Sequence, residues 1–408
     1  WRRHVGFSCR GKASRHRIVK IMETFKNTDK AIARILLAKK RGENIGIWGD
    51  YDPDGISGSV IIREGLLGAG FKAKNLTVIL PRQKKFDRSF NPTHLKLLKK
   101  KMVSLILGVD FGTADYDKVK MADNMGFDII LFDHHLTGTG KLSALLINHL
   151  QSGDSYPYKN WCGSGVAYKF FEFFYLNQGL DLSRLERQLD LFTLAMIADR
   201  IKLDDYNSKY IDRGIHLINA HARPGLQELL HLADDENITK EKVMSVLISR
   251  FFPRLSNEKN EMYRLFMARS KKEGAKYAKI LNDRHKKISA YINKYVSIGE
   301  AQYKREKSKV IILRADVPSL ASGMIGAISE ALVEKIKIPL FVYKKQENYF
   351  QGSSRAPFGS GFNLVEAMNS SKDLFMGFGG HKTAAGFRLK GGKEKEFKDA
   401  MEKYFNSL

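Results

Sequence analysis

The chain has 408 residues, 43% of them hydrophobic and 11% aromatic, which excludes intrinsic disorder and leaves room for two or three domains. A formal net charge of +25 points to a polyanionic partner, nucleic acid first, although a solvated Lys-rich surface would give the same sum. Cys9 and Cys162 are the only cysteines, which excludes a disulfide framework and fits a reducing, intracellular setting, and no apolar run approaches the ~20 residues that span a bilayer. The first residues are basic (Arg2, Arg3, Arg10, Arg15, Arg17) with no apolar signal region after them. The sequence begins at Trp1 rather than Met, so a trimmed N-terminus is expected.

Apolar residues at helical spacing predict a helix from about Ser14 to Arg41, through Ile18, Ile21, Met22, Phe25, Ile32, Ile35 and Leu36. The short run Ile45-Gly46-Ile47-Trp48 reads as a buried strand, and Ser57 to Leu67 as a helix. Alternation continues with a strand at Leu76–Leu80, a helix at Pro92–Lys101, a strand at Val103–Val109 and a helix at Tyr116–Met125. Strands follow at Asp128–Phe132 and Ala144–Asn148. This rhythm predicts an α/β domain with a parallel sheet. Helical character then takes over at Gly165–Asn177, at Leu185–Ala198 and through about 205 to 300. A smaller α/β domain is expected after it, with a strand at Val310–Leu313, a helix at Gly323–Lys335 and a strand at Leu340–Val342. A Gly- and Ser-rich stretch at Gly352–Gly361 and a helix at Asn363–Met368 come next. The domains read as 1–205, a helical connector at 206–305, and 306–408.

Four acidic sites recur along this pattern, three of them just after a predicted strand, where open parallel sheets place their ligands. Gly49-Asp50-Tyr51-Asp52-Pro53-Asp54-Gly55 sets three carboxylates within five residues. Such neighbours repel unless a proton or cation compensates, so the cluster suits a hard metal ion, and an Asp-rich turn is the bland alternative. Asp110 follows the strand Val103–Val109 and could equally be a turn or helix-capping residue. Asp133-His134-His135 follows the next strand, and carboxylate with imidazole suits Mn²⁺ or Zn²⁺. Asp199 ends an apolar helical segment, where an unpartnered carboxylate is seldom placed.

The order of these four sites resembles the phosphoesterase motifs of the DHH superfamily, and the Asp50–Gly55 form resembles its RecJ branch. Gly323-Met324-Ile325-Gly326 and Glu330 to Lys335 resemble the start of the family's second domain, DHHA1. Gly352-Ser353-Ser354-Arg355 is similar to its phosphate-contacting segment, and Gly379-Gly380-His381 to Phe387 to its GGHxxAAGF loop, for which a simple hairpin turn is the alternative. The resemblance covers roughly residues 28 to 390.

The resemblance implies a parallel-sheet DHH domain, a helical connector and a smaller α/β DHHA1 domain, with a catalytic cleft between them. It implies two divalent cations, Mn²⁺ or Mg²⁺, held about 3.5–4 Å apart by Asp52, Asp54, Asp110, His134 and Asp199. Asp110 matches the carboxylate that bridges both ions. His135 matches the residue that contacts the scissile phosphate, Asp133 a partner that orients a histidine, and Asp50 a weaker supporting carboxylate. Ser354, Arg355, Gly379, Gly380 and His381 match the substrate-binding set. Many relatives carry His four residues before Asp52, where this chain has Trp48, which cannot ligate a metal.

Residues 264–307 hold 13 Lys or Arg against 4 Asp or Glu, with Tyr277, Tyr291, Tyr295 and Tyr303 interleaved. Basic grooves with aromatic platforms suit single strands, and a solvated helix with inward-packed tyrosines is the alternative. The expected function is metal-dependent exonucleolytic hydrolysis of single-stranded DNA or RNA, 5′→3′ by family, releasing nucleoside monophosphates. The alternatives are a nanoribonuclease- or phosphoadenosine-phosphate-phosphatase-like enzyme on short substrates, and a non-catalytic replication scaffold. Single-stranded nucleic acid, with replication or repair proteins, is the expected partner, and no membrane.

Overall fold

The computed structural model describes residues 24–81, 89–220, 223–235, 237–251, 260–316 and 323–407. Cys9, the basic residues up to Arg17 and the expected helical positions Ile18 to Met22 lie outside them. The described residues form two compact units, one reaching Asn282 and one starting at Asp283.

The first unit is built on a five-stranded parallel sheet. Its elements are helix α1 (Thr28–Arg41), β1 (Asn44–Gly49), α2 (Pro53–Gly68), β2 (Leu76–Ile79), α3 (Pro92–Lys100), β3 (Val103–Val109), α4 (Tyr116–Asn124), β4 (Asp128–Phe132) and β5 (Leu145–Ile147). The strand order is β2-β1-β3-β4-β5, with every neighbour parallel. Period-2 alternation serves two apolar layers. Ile45, Ile47, Leu105, Leu107, Ile130 and Phe132 face a core shared with α1, α2 and α5 (Gly163–Gln178). Trp48, Ile106, Ile129 and Leu131 face Leu95 and Leu98 of α3 and Val119 and Ala122 of α4. Helices on both faces leave only the strand ends open, and the chain order reverses between β1 and β3, where such sheets form their crevice.

After α6 (Leu189–Ala198), the first unit continues through α7 (Asp205–Asn219), α8 (Pro224–Ala233), a π-helical turn at Val243–Ile248 and α9 (Glu261–Met267). These helices bury Ile218, Leu226, Leu230, Leu247 and Leu265 against Ile56 and Val60 of α2 and Leu191 and Leu194 of α6. The first part of the expected connector therefore shares a core with the sheet domain. The 36-residue helix α10 (Lys271–Glu306) contributes Tyr277 and Leu281 to that core, and Ile288, Tyr295 and Val296 to the core of the second unit. Tyr277 and Tyr295 are thus packed inward, as the bland reading of the interleaved tyrosines has it, while Tyr291 remains over a third exposed.

The second unit comprises β6 (Ile311–Arg314), α11 (Met324–Ile336), β7 (Leu340–Lys345), β8 (Tyr349–Arg355), α12 (Leu364–Asn369), β9 (Phe375–His381), β10 (Ala384–Lys390) and α13 (Glu394–Asn406). Its sheet runs β6-β7-β8-β10-β9, parallel only between β6 and β7. The start of the Gly352–Gly361 stretch is strand β8, and the Gly379–Phe387 segment takes the hairpin alternative, with Gly379, Gly380 and His381 in edge strand β9. Glycines lower strand propensity, but the ladder to β10 fixes these residues regardless.

Candidate metal centre

Each acidic residue is delivered by an element that ends or begins at the same rim of the first sheet. Asp50 follows β1, its N–H donating to Val109 O at 3.2 Å, and Asp110 follows β3, its N–H donating to Phe132 O at 2.9 Å. Asp133 follows β4 and its N–H reaches Ile147 O at 3.1 Å. The ladder thus continues one residue past each strand and holds three carboxylates in register. Asp110 is left-handed, with φ 66°, a strained conformation for a non-glycine residue that the surrounding ladder enforces.

Asp52 caps α2, accepting from the N–H groups of Asp54 and Gly55 at 3.0 and 3.1 Å, with Pro53 at the first helical position. Asp54 is buried, and its two oxygens accept the N–H groups of Gly163 and Ser164 at 2.7 and 2.8 Å, at the N-terminus of α5. Gly163 allows this approach, because a Cβ there would lie 2.9 Å from Asp110 Cα. Asp199 ends α6.

The sites converge. His134 Nε2 lies 3.3 Å from Asp110 Oδ1 and 3.9 Å from Asp54 Oδ2, and His134 Nδ1 lies 3.6 Å from Asp199 Oδ2. Three groups have ligand atoms within 4.8 Å of one another: Asp50, Asp52 and Asp110; Asp54, His134 and Asp199; and Asp110, Asp133, His134 and His135. Asp110 is common to the first and the last. The five expected ligand residues, Asp52, Asp54, Asp110, His134 and Asp199, meet here, and Asp50 lies beside Asp52 and Asp110.

The electrostatics fit a cation. Burial, reinforced by the charges of Asp54, Asp52 and Asp50, holds the Asp110 carboxyl well above the usual range. Asp199 is pushed up to about 6 by burial and by Asp54. A buried cluster that cannot ionise without compensation, offering carboxylate and imidazole donors, suits Mn²⁺ or Mg²⁺.

Asp133 orients His135, not His134. Its Oδ1 meets His135 Nδ1 at 2.7 Å and accepts the N–H of His134 at 2.8 Å. Its Oδ2 accepts the N–H and hydroxyl of Thr113 at 3.0 and 2.6 Å. Burial raises the Asp133 carboxyl, but the bonds from His135 and Thr113 outweigh it and hold the group down at about 2. The same contact raises His135 to about 9 against its own burial, so the ring is an imidazolium at neutral pH. Its side chain is half exposed at the rim. Trp48, where the family resemblance implies His, lies fully buried against Phe90, His94 and Phe111, at centroid distances of 5.0, 5.6 and 6.4 Å. It is a core residue beneath the rim.

Residue-type reasoning missed three supports. Thr113 holds Asp133, Asn148 donates to His135 O at 2.9 Å and to Thr113 Oγ1 at 3.3 Å, and Gly163-Ser164 hold Asp54. The available signal was positional: Thr113 lies three residues past Asp110, and Asn148 follows β5 at the same rim.

The expected substrate-binding residues lie in the second unit. Arg355 pairs with Glu330 at 2.6 Å and donates to Ser353 Oγ at 3.2 Å. Strand alternation puts Ser353 on the face of Arg355 and turns Ser354 inward, where it is buried and its hydroxyl donates to Ala385 O at 3.2 Å. Gly379 and His381 are exposed on β9, and Gly380, at φ 144°, packs so closely that a Cβ would lie 2.4 Å from Ala384 O.

Residues 44–197 match the DHH family, N-terminal domain, and residues 308–407 match the DHHA1 domain. The single-stranded-DNA-specific exonuclease RecJ of Bacillus subtilis is 28% identical over 378 residues, covering 90% of this chain and 46% of the relative. That of Thermus thermophilus is 26% identical, covering 93% and 54%. The chain therefore spans about half the length of these curated relatives. Among solved structures, Thermus thermophilus RecJ in complex with Mn²⁺ superposes with a TM-score of 0.73 at 24% identity, covering 94% of this chain and 55% of that one. A manganese-bound exonuclease RecJ gives 0.69 at 23% identity, covering 94% and 95%. With both domains matched in order and RecJ proteins similar along nearly its whole length, the chain belongs to the DHH superfamily and carries its DHHA1 domain.

Proposed function

We propose that the protein is a metal-dependent exonuclease that hydrolyses phosphodiester bonds of single-stranded DNA, with RNA as a second substrate, working 5′→3′ and releasing nucleoside monophosphates. The observation that carries this reading is the convergence of Asp50, Asp52, Asp54, Asp110, His134 and Asp199 at one sheet rim, with Asp110 shared between groups. These residues would hold two divalent cations, Mn²⁺ or Mg²⁺, which supply charge neutralisation and an activated water for attack on phosphorus.

The chain's own residues do the rest. Asp110 is fixed by the ladder and by the approach of α5, and Asp54 by two backbone N–H groups, so their oxygens need little rearrangement. His135, cationic and held by Asp133, meets a phosphate oxygen and donates to the charge that grows on it. In the second unit, Arg355 and His381 are the groups assigned to phosphates of the bound strand. Single-stranded nucleic acid is accordingly the assigned partner, alongside replication or repair proteins.

The test is a time course with Mn²⁺ on single-stranded DNA and RNA carrying 5′ or 3′ label in parallel, against a dinucleotide. Mononucleotide release from the long strand by the wild type, lost in Asp110→Ala while strand binding persists, supports the reading. Cleavage of the dinucleotide alone would assign a short-substrate enzyme, and no cleavage of either a non-catalytic binder.

A further inference from the structure

The end of the sheet opposite the metal centre carries a groove that the reaction does not use. It lies where β1 and β2 begin and is lined by Lys39, Lys40, Arg41, Gly42, Glu43, Asn44, Gly70, Phe71, Lys72, Lys74 and Asn75, with a volume of about 690 Å³. Five cations meet one carboxylate there. Glu43 is already engaged, by Arg34 at 2.6 Å and by the Ser104 hydroxyl. Its remaining contact to the groove is the 3.7 Å pair with Arg41. Lys39, Lys40, Lys72 and Lys74 have no carboxylate partner among the described residues, and all are exposed.

The groove is built. Asn75 Nδ2 donates to Gly42 O at 3.0 Å, fastening the loop of Lys72 and Lys74 to the end of α1, while Phe71 is buried beneath. Asn44 in turn donates to Lys101 O at 2.9 Å, which adds the lysines ending α3 to the same edge. Lys39, Lys40 and Arg41 alone would be ordinary, since cations favour a helix C-terminus. Lys72 and Lys74 gain little of that kind, for Lys72 precedes and Lys74 lies within a single three-residue 3₁₀ turn, too short to build a helix dipole. Holding five like charges around one depression costs repulsion that a bound polyanion relieves.

We propose that this groove is a second binding site for the phosphate backbone of a nucleic acid, engaging a part of the strand that lies outside the metal centre. The six residues of β1 place it about 20 Å from the rim that carries Asp50. Contacts of this kind fix position without reading sequence, and they hold a substrate while its end is processed.

The proposal is tested on the full chain in EDTA, by fluorescence anisotropy of a labelled thymidine strand of about 40 nucleotides across a salt series. Lys72→Gln/Lys74→Gln lies outside the α-helices, and Lys72→Glu/Lys74→Glu sharpens the effect. Unchanged melting temperatures certify folding. The expected result for the Gln pair is a 3- to 10-fold weaker affinity, roughly, with the slope of log affinity against log salt reduced by about 1.4. Trinucleotide binding and Mn²⁺-dependent trinucleotide hydrolysis should be unchanged. Wild-type affinity and slope for the long strand in both variants would overturn the proposal. So would competition by inorganic tripolyphosphate that the variants abolish while long-strand affinity stays unchanged, which marks a site for small polyphosphates. The inference stands apart from the catalytic reading: loss of hydrolysis with strand binding intact would sink that reading and leave this one.

Discussion

Asp133 and His135 show how one contact assigns roles. Held down at about 2 by hydrogen bonds, Asp133 stays ionised, while His135 is raised to about 9 by that carboxylate. The imidazolium form is complete below the ordinary histidine value and is lost as pH rises through about 9. Activity should therefore fall above pH ~9 in the wild type. His135→Asn should be about 10²-fold slower and lack that limb, and a pH–rate profile that keeps the limb in the variant removes His135 from the phosphate. Asp110 argues the opposite way. Its raised carboxyl means that ionisation opposes folding, so stability without metal should decline as pH rises through its folded-state value. Asp110→Asn should raise the melting temperature in EDTA, by roughly 2–4 °C per kcal/mol of relieved repulsion, and should abolish the further rise that Mn²⁺ gives the wild type. Calorimetric scans with and without Mn²⁺ measure both.

The elements explain why those side chains arrive where they do. Every strand of the first sheet was legible, because Val-, Ile- and Leu-rich runs alternating with amphipathic helices have few other solutions. The candidate site carboxylates were legible for the same reason: Asp50, Asp110 and Asp133 are first residues past buried strands, and strand ends of a parallel sheet share a rim. What was illegible depends on contacts distant in sequence. Gly163 looks like any helix-starting glycine, yet it seats the N-terminus of α5 on Asp54, 109 residues earlier. β8 and the strands flanking the hairpin turn at Gly379–Phe387 were missed because glycine and serine hide a ladder that only register reveals, and the final helix was missed as well. That Ser354 of the expected substrate-binding set turns inward while Ser353 shares the face of Arg355 depends on the strand phase. The Gly163 argument has a consequence. Gly163→Val inserts atoms at less than 3 Å from Asp110 and must push α5 away, at a cost of about 1–3 kcal/mol. Its expected signature is weaker Mn²⁺ binding by titration calorimetry together with a slower rate, whereas unchanged Mn²⁺ affinity would show that the α5 N-terminus is incidental to the centre.

Across the whole molecule, the proposed metal ligands and His135 belong to the first unit, and Arg355 and His381, the residues proposed to hold phosphates along the bound strand, belong to the second. That division separates two kinds of energy. Ligand and His135 contacts act on charge that develops during reaction, so losing them lowers the maximal rate. In the proposed function Arg355 and His381 hold phosphates already charged in the ground state, so losing them should weaken binding without changing the step that follows. Arg355 is ready for this role at some cost, because its present partner Glu330 must yield it to a phosphate. A charge-assisted bond contributes about 1.5–3 kcal/mol, which converts to roughly 10- to 100-fold in KM. Arg355→Ala should therefore raise KM for a long single strand by about that factor while leaving kcat and Mn²⁺ affinity within about twofold. Steady-state kinetics on the labelled strand decide it. A fall in kcat at unchanged KM would place Arg355 at the reacting phosphate, and would mean that the second unit takes part in the chemical step.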